Sequence, residues 1–188
     1  MSHIVIIHGS PTPGSRLNGL VEFVEGKWNE KGIKVSHVRV ADLPAEALLH
    51  ADFKNEEILA ALALVESASG VVIASPVYKA SFTGVLKAFL DLLPQTGLKG
   101  KATLPLFIGG TIAHLLSLDY ALKPVLSVLG SRNILGGVYA IDAWVQRLEG
   151  GGFELSEELR DRLTNAAEEL AEEITWIGIR SKENIQTP

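Results

Sequence analysis

Apolar residues are arranged in two ways along this chain. His3-Ile-Val-Ile-Ile-His8, Gly70-Val-Val-Ile-Ala74 and Thr103 to Ile108 are apolar at almost every position, which predicts strands buried on both faces. Ile33 to Val40 alternates apolar with polar residues and predicts a strand near a sheet edge, and Asn133 to Ala140 predicts a fifth strand. Between these runs the spacing is helical. Leu20, Val21, Phe23, Val24 and Trp28 predict a helix over Asn18 to Lys31, closed by a basic last turn and Gly32. Further helices are predicted over Asp52 to Ser69, from about Val85 to Leu93 before Pro94, over Ile112 to Leu129, and over Glu154 to Ile177 with Ser156 as N-cap. Pro124 must kink or bulge the fourth of these. Pro105 is tolerated in its strand only where the missing donor falls at a strand start or a bulge. The polar tail from Arg180 to Pro188 is expected to fray.

Strands alternating with helices imply a parallel sheet built from right-handed crossovers, an α/β doubly wound fold with helices on both faces. No repeat, low-complexity tract or linker interrupts it, so a single domain over residues 1–188 is expected. Composition narrows the chemistry. With 188 residues, 47% of them hydrophobic, the core needs neither disulfide nor metal. The absence of cysteine removes thiol catalysis, thiolate metal sites and iron-sulfur clusters. Seventeen Lys and Arg against 22 Asp and Glu give a net charge of -5, the wrong sign for nucleic-acid binding. Met1 to His8 lacks a cationic leader, and the apolar stretch from Ala102 to Leu118 is broken by Pro105, Gly109, Gly110 and His114, so a cytoplasmic protein without a membrane span is expected. His3, His8, His37, His50 and His114 lack metal-site spacing, and no metal is expected.

In an open doubly wound sheet, ligands bind at the carboxyl ends of the strands, which selects three loops. Gly9-Ser-Pro-Thr-Pro-Gly-Ser-Arg-Leu-Asn18 opens a helix, where amides, the Ser10 and Ser15 hydroxyls, Arg16 and Asn18 suit a phosphate monoester; the competing reading is a turn with an ordinary cap. The loop matches neither a dinucleotide fingerprint nor a P-loop, which favours a mononucleotide phosphate. Pro76, Val77, Tyr78 and Lys79 follow the next strand and could present backbone groups to a flat heterocycle, or simply turn and pack. Gly109, Gly110 and Thr111 follow the third, where two glycines allow close approach of a ligand or a sharp turn. His114 just beyond is a weak candidate for catalysis. With no Gly-x-Ser-x-Gly elbow or carboxylate pair, the loops suit a cofactor that brings its own reactivity, and no side chain is assigned as catalytic.

Gly9-Ser-Pro with Ser15-Arg16, Ser75-Pro-Val-Tyr-Lys-Ala-Ser-Phe-Thr-Gly-Val-Leu-Lys87, Leu90-Asp-Leu-Leu-Pro94 and the segment Gly109-Gly-Thr-Ile-Ala-His-Leu-Leu to Leu126 resemble the NADPH-dependent FMN reductases of the flavodoxin-like superfamily, nearest to the reductase components of two-component alkanesulfonate monooxygenases. The resemblance spans about residues 3–142 and implies a flavodoxin-like five-stranded parallel sheet. It implies that Ser10, Ser15 and Arg16, with Asn18, hold the FMN phosphate; that Pro76 to Lys79 lie beside the ribityl chain and ring; and that Gly109 to Thr111 close the other side. Related sequences often carry arginine where Thr12 stands, so one phosphate contact is missing here or falls to Arg16. Tyr120 matches a tyrosine read in the family as an inserted residue forming a π-bulge at a tetramer interface, where it favours release of reduced flavin.

The function implied is hydride transfer from NADPH to FMN, held as a substrate or weakly bound, with reduced FMN passed to a partner (alkanesulfonate) monooxygenase in sulfur assimilation, by a homo-oligomer, dimer or tetramer. Two alternatives stay open: an FMN-retaining reductase of quinones, azo dyes or metal ions, and a flavodoxin-type electron carrier.

Overall fold

A computed structural model of the chain describes residues 2–183. In chain order its elements are β1 (His3–His8), α1 (Leu17–Glu30), β2 (Lys34–Arg39), α2 (Ala45–Leu49), α3 (Glu56–Ser67), β3 (Gly70–Tyr78), β4 (Ser81–Phe82) and α4 (Gly84–Leu90). There follow β5 (Ala102–Gly109), α5 (Lys123–Val128), β6 (Asn133–Ile134), β7 (Val138–Ile141), β8 (Val145–Arg147), β9 (Phe153–Leu155) and α6 (Glu157–Glu183). The apolar runs become the centre of a parallel sheet ordered β2-β1-β3-β5, with β6 and β7 sharing the fifth position. The alternating segment forms the edge strand β2, in register with β1 from His3 opposite Lys34 to His8 opposite Arg39.

Side chains alternate across the sheet and so divide the core in two. Ile4, Ile6, Val72 and Leu104 face α1 and α6, while Val5, Ile7, Val71 and Ile73 face the layer of α3, α4 and α5. The Trp28 indole, fully buried where α1 meets α6, donates to the Ala167 carbonyl at 2.9 Å. After β2 the chain crosses back over β1 to begin β3, so consecutive connections leave β1 in opposite directions. A crevice therefore opens at the carboxyl ends of β1 and β3, where open α/β sheets take their ligands. Among the described residues no helix is long and apolar enough to cross a membrane.

Several segments differ from the sequence expectation for identifiable reasons. The fifth strand is two short pieces interrupted at Leu135 to Gly137. Thr103 points its carbonyl outward to the Leu135 amide at 2.9 Å, and by the two-residue period Pro105 faces the same way, into the interruption. Its missing donor thus falls at the gap between β6 and β7 and not against a paired strand. The third helix starts at Glu56, because the Asn55 side chain caps the amides of Glu57 and Ile58 at 3.0 and 3.2 Å. The last helix begins at Glu157 after its Ser156 cap, since Phe153 to Leu155 pair with β8 in a hairpin where only a polar stretch was expected. Helix α6 reaches Glu183, and the remainder of the tail expected to fray lies outside the described residues.

The helix expected over Ile112 to Leu129 is broken. A single tight turn spans Ile112–His114, a π-helical stretch spans Leu118–Leu122, and only then does α5 begin. Pro124 explains the position of the bulge: it has no N–H for the Tyr120 carbonyl and its ring crowds that oxygen. The Lys123 amide instead reaches back five residues to the Leu118 carbonyl.

Gly137 sits at φ +80°, and a side chain there would meet the Pro105 carbonyl oxygen, whereas Gly136 faces open space. Gly137→Ala is therefore expected to lower the unfolding free energy by about 1–3 kcal/mol, and Gly136→Ala to leave it nearly unchanged, as read by urea denaturation.

Candidate active site

The three loops selected from sequence meet at the carboxyl edge of β1, β3 and β5. The first leaves β1 at Gly9, whose amide donates to the Ala74 carbonyl of β3 at 2.7 Å. No side chain fits at Gly9, because it would collide with Leu86 of α4. Ser10 is buried; its hydroxyl donates to the Thr12 carbonyl at 3.1 Å and accepts from the Thr12 amide at 3.3 Å. The Ser15 hydroxyl accepts from the Leu17 amide at 3.2 Å, and the Asn18 side chain donates to the Pro13 carbonyl at 2.7 Å. These polar side chains brace the loop itself. That leaves the amides of Gly14 and Arg16 without a protein acceptor among the described residues, at the entrance to α1. Amides free at a helix N-terminus are donors for an anion.

The second loop is more ordered than its sequence indicated. Pro76, Val77 and Tyr78 continue β3, and the chain reverses at once through Lys79 and Ala80 so that Val77 pairs with Phe82 and Tyr78 with Ser81. Lys79 and Ala80 lie at φ +51° and +63°, the left-handed pair that a two-residue hairpin requires and that glycine or asparagine usually supplies. Non-glycine residues held there store strain next to the site. Tyr78 is left half exposed beside this turn.

Thr83 joins the first two loops. Its hydroxyl donates to the Gly9 carbonyl at 2.5 Å and accepts from the Leu86 amide at 3.0 Å, capping α4, while its amide donates to the buried Ser75 hydroxyl at 3.1 Å. The third loop depends on Tyr139 of β7. The Tyr139 hydroxyl donates to the Thr111 carbonyl at 2.7 Å, in space that a side chain at Gly109 would fill. Burial first, and the Asp142 carboxylate second, push the phenol up, so it stays protonated and keeps donating. Gly110 and Thr111 remain exposed, and the Thr111 hydroxyl accepts from the Ala113 amide at 3.3 Å. His114 borders a shallow hollow of about 300 Å³ with Ser117 and Tyr120 that touches the loops only at Ala80 of the second. A larger hollow of about 670 Å³, lined by Pro44, His50 and Phe53 among others, shares no residue with the loops, so the donor set and not hollow size locates the site.

Directly beneath the first loop, His8 is buried and its Nε2 lies 3.0 Å from Nδ1 of His37, whose Nε2 lies 3.0 Å from the Glu25 carboxylate. The Glu25 carboxylate accepts from His37 Nε2–H, and while His37 is neutral its Nδ1 accepts from His8 Nε2–H. Burial, then the charges of Arg39 and His37, push the His8 imidazole down to about 3.

The donor set fits a flavin mononucleotide: free amides at a helix N-terminus for its phosphate, an extended edge at Pro76–Tyr78, and an exposed Gly110 where no Cβ blocks a planar ring, Gly109 being closed from beneath by Tyr139. Comparison with known proteins agrees. The profile of the family described as NADPH-dependent FMN reductase matches residues 2–146. The chain belongs to that family. An FMN reductase (NADPH) of Pseudomonas putida strain KT2440 is 43% identical over 166 residues, 88% of this chain and 84% of the relative. Another FMN reductase (NADPH), from Escherichia coli K12, is 44% identical over 142 residues, 76% of this chain and 74% of the relative. The crystal structure of the apo NADH:FMN oxidoreductase EmoB superposes with a TM-score of 0.82 at 36% identity, covering 90% of this chain and 88% of that one.

Three residues that brace the candidate site were not anticipated. Thr83 carried an available signal, a threonine directly before a helix, but Tyr139 and Arg147, whose Nη2 donates to the Gly14 carbonyl, act from distant segments that no local pattern connects to the loops.

Two outcomes follow. Tyr139→Phe removes one hydrogen bond of about 1 kcal/mol and should weaken FMN and riboflavin alike, by about fivefold in fluorescence titration. His8 has a folded pKa below its unfolded 6.5, so the unfolded chain binds the extra proton between those values and stability falls as pH drops from 6.5 toward 3. At pH 4.5 the loss should approach about 3 kcal/mol, and His8→Gln, which reaches as far as Nε2 without titrating, should remove most of that slope in urea melts.

Proposed function

We propose that this FMN reductase treats flavin as a substrate, reducing FMN with NADPH at the carboxyl edge of β1, β3 and β5 and releasing it to a partner monooxygenase, as in alkanesulfonate-dependent sulfur assimilation. The observation that carries this reading is the openness of a site whose frame is rigid. Ser10, Thr83 and Tyr139 lock the loops from beneath, whereas Gly14, Tyr78, Gly110 and Thr111 lie exposed on one chain. Bound FMN supplies the acceptor for a hydride from NADPH, so no side chain has to act as acid or base in that step.

The chain's own residues bind and orient. The Gly14 and Arg16 amides, with Arg16 and the Ser15 and Asn18 loop, hold the phosphate end. The edge from Pro76 to Lys79 and the Gly109 to Thr111 turn flank the ring, whose outer face stays open for the nicotinamide. Backbone donors fixed before the reaction stabilise charge developing on a ring without reorganising.

The π stretch supports the same reading. Tyr120 is 78% exposed at its apex, and Ile112, Leu116 and Val128 on the same segment are also exposed. An apolar strip of this kind marks a protein interface, and we assign it to self-association as a dimer or tetramer, with Tyr120 modulating flavin release.

The test is NADPH oxidation by flavin-stripped protein with FMN titrated from substoichiometric to large excess. Turnover should saturate with free FMN. Full activity at one bound FMN per chain that requires an added quinone or dye would instead assign a flavin-retaining reductase, and bound flavin left oxidised by NADPH an electron carrier.

A further inference from the structure

The hairpin β8–β9 is docked on the first turn of α1. A side chain at Gly19 would run into Phe153 and Val145, Val145 is buried, and the Ser156 amide donates to the Trp144 carbonyl at 3.0 Å. The Arg162 guanidinium of α6 stands over the Trp144 ring at 5.8 Å. Residues 145 and 147 share a face of β8, so the contact of Val145 with α1 aims Arg147 along the same side. Its Nη2 donates to the Gly14 carbonyl at 2.6 Å. Arg16 returns the tie, its Nε donating to the Val145 carbonyl at 3.0 Å. Loop and hairpin thus each lend an arginine to the other's backbone.

Each tie uses one N–H of a five-donor fork. Neither arginine has a carboxylate within ion-pair distance among the described residues. Both guanidiniums therefore keep unused donors and an unpaired charge next to a segment whose Gly14 and Arg16 amides are free. Such a combination suits a dianionic phosphate monoester, which takes several donors and more than one positive charge. The family profile stops at residue 146, so Arg147 and β9 lie beyond it.

We propose that Arg147 is a flavin-phosphate residue of this chain, forming with Arg16 a two-guanidinium clamp that selects FMN over riboflavin. The inference rests on reading the Gly9–Asn18 loop as the phosphate site. Holding Gly14 also sets the loop, but the discrimination comes from charge placed on the phosphate.

Flavin-stripped protein titrated with FMN and with riboflavin, at several salt concentrations, tests both levels. Arg147→Gln should weaken FMN about tenfold, the loss of one charge-assisted bond, leave riboflavin within twofold, and flatten the salt dependence of FMN binding. Arg147→Lys, which keeps the charge but not the fork, should retain the salt dependence with a smaller loss, and it carries the test if the Gln variant fails to fold. Equal weakening of both flavins by Arg147→Gln would make Arg147 a brace only and overturn the proposal. Unchanged FMN binding in Arg147→Gln, beside a loss specific to FMN in Ser15→Ala with Arg16→Ala, would overturn it while sparing the phosphate loop. If that double variant weakens FMN and riboflavin equally, the loop reading itself fails.

Discussion

Parallel strands end in amides and carbonyls that no neighbour covers, and where β1 and β3 part it is Thr83 that satisfies them. Its hydroxyl takes the Gly9 carbonyl and the Leu86 amide while its amide takes the Ser75 hydroxyl, so one residue at the start of α4 fixes the exits of both strands. Everything above depends on that join. Gly9 can pass close to Leu86 only without a side chain, and this close passage sets where the first loop turns toward α1. A buried polar residue that closes several bonds at once costs far more to disturb than any single bond it makes.

The same division of labour recurs at the third loop, where Tyr139 supports Thr111 from inside the sheet while Gly110 faces outward. Support lies beneath and exposure above. Such an arrangement keeps the loop backbone in one conformation without enclosing the space above it, as the proposed ring site requires. The strained pair Lys79 and Ala80 belongs to the same pattern, since a tight reversal there exposes the end of β3 instead of covering it.

The buried strands were legible because runs such as Ile4 to Ile7 admit no amphipathic alternative, and the glycines at 9, 109 and 110 were legible as places where chain or ligand comes close. Pro124 announced a defect in its helix, and the defect is a π turn just before it. The resemblance to FMN reductases found the family. Hidden were contacts whose partners are far apart in sequence: Tyr139 with Thr111, and Arg147 with Gly14, 133 residues away. The β8–β9 hairpin was missed for a local reason, because Leu148 to Gly152 is polar and glycine-rich and the strands beside it are only three residues each. Its stability comes from docking on α1, which no window of sequence contains.

Charge completes the picture. The chain is acidic overall, at -5, yet Arg16, Arg147 and Lys79 lie at the carboxyl edge of the sheet with no carboxylate partner among the described residues. By contrast Lys27, Lys87 and Lys123 are each paired with a nearby acid on their own helical segment. Asp142 stands beside Gly110 on the same edge, so the unpaired guanidiniums gather at the end of the first loop. Flavin mononucleotide and NADPH are both anions, and cations grouped there on a negative body raise the encounter rate at that end. Exposed charges act mainly through such steering, because solvent screens most of what they could add to affinity. Gly14, Tyr78, Gly110 and Thr111 exposed above a floor held by Thr83 and Tyr139 leave this edge open to entry and exit, which is the geometry that the proposed release of flavin rests on.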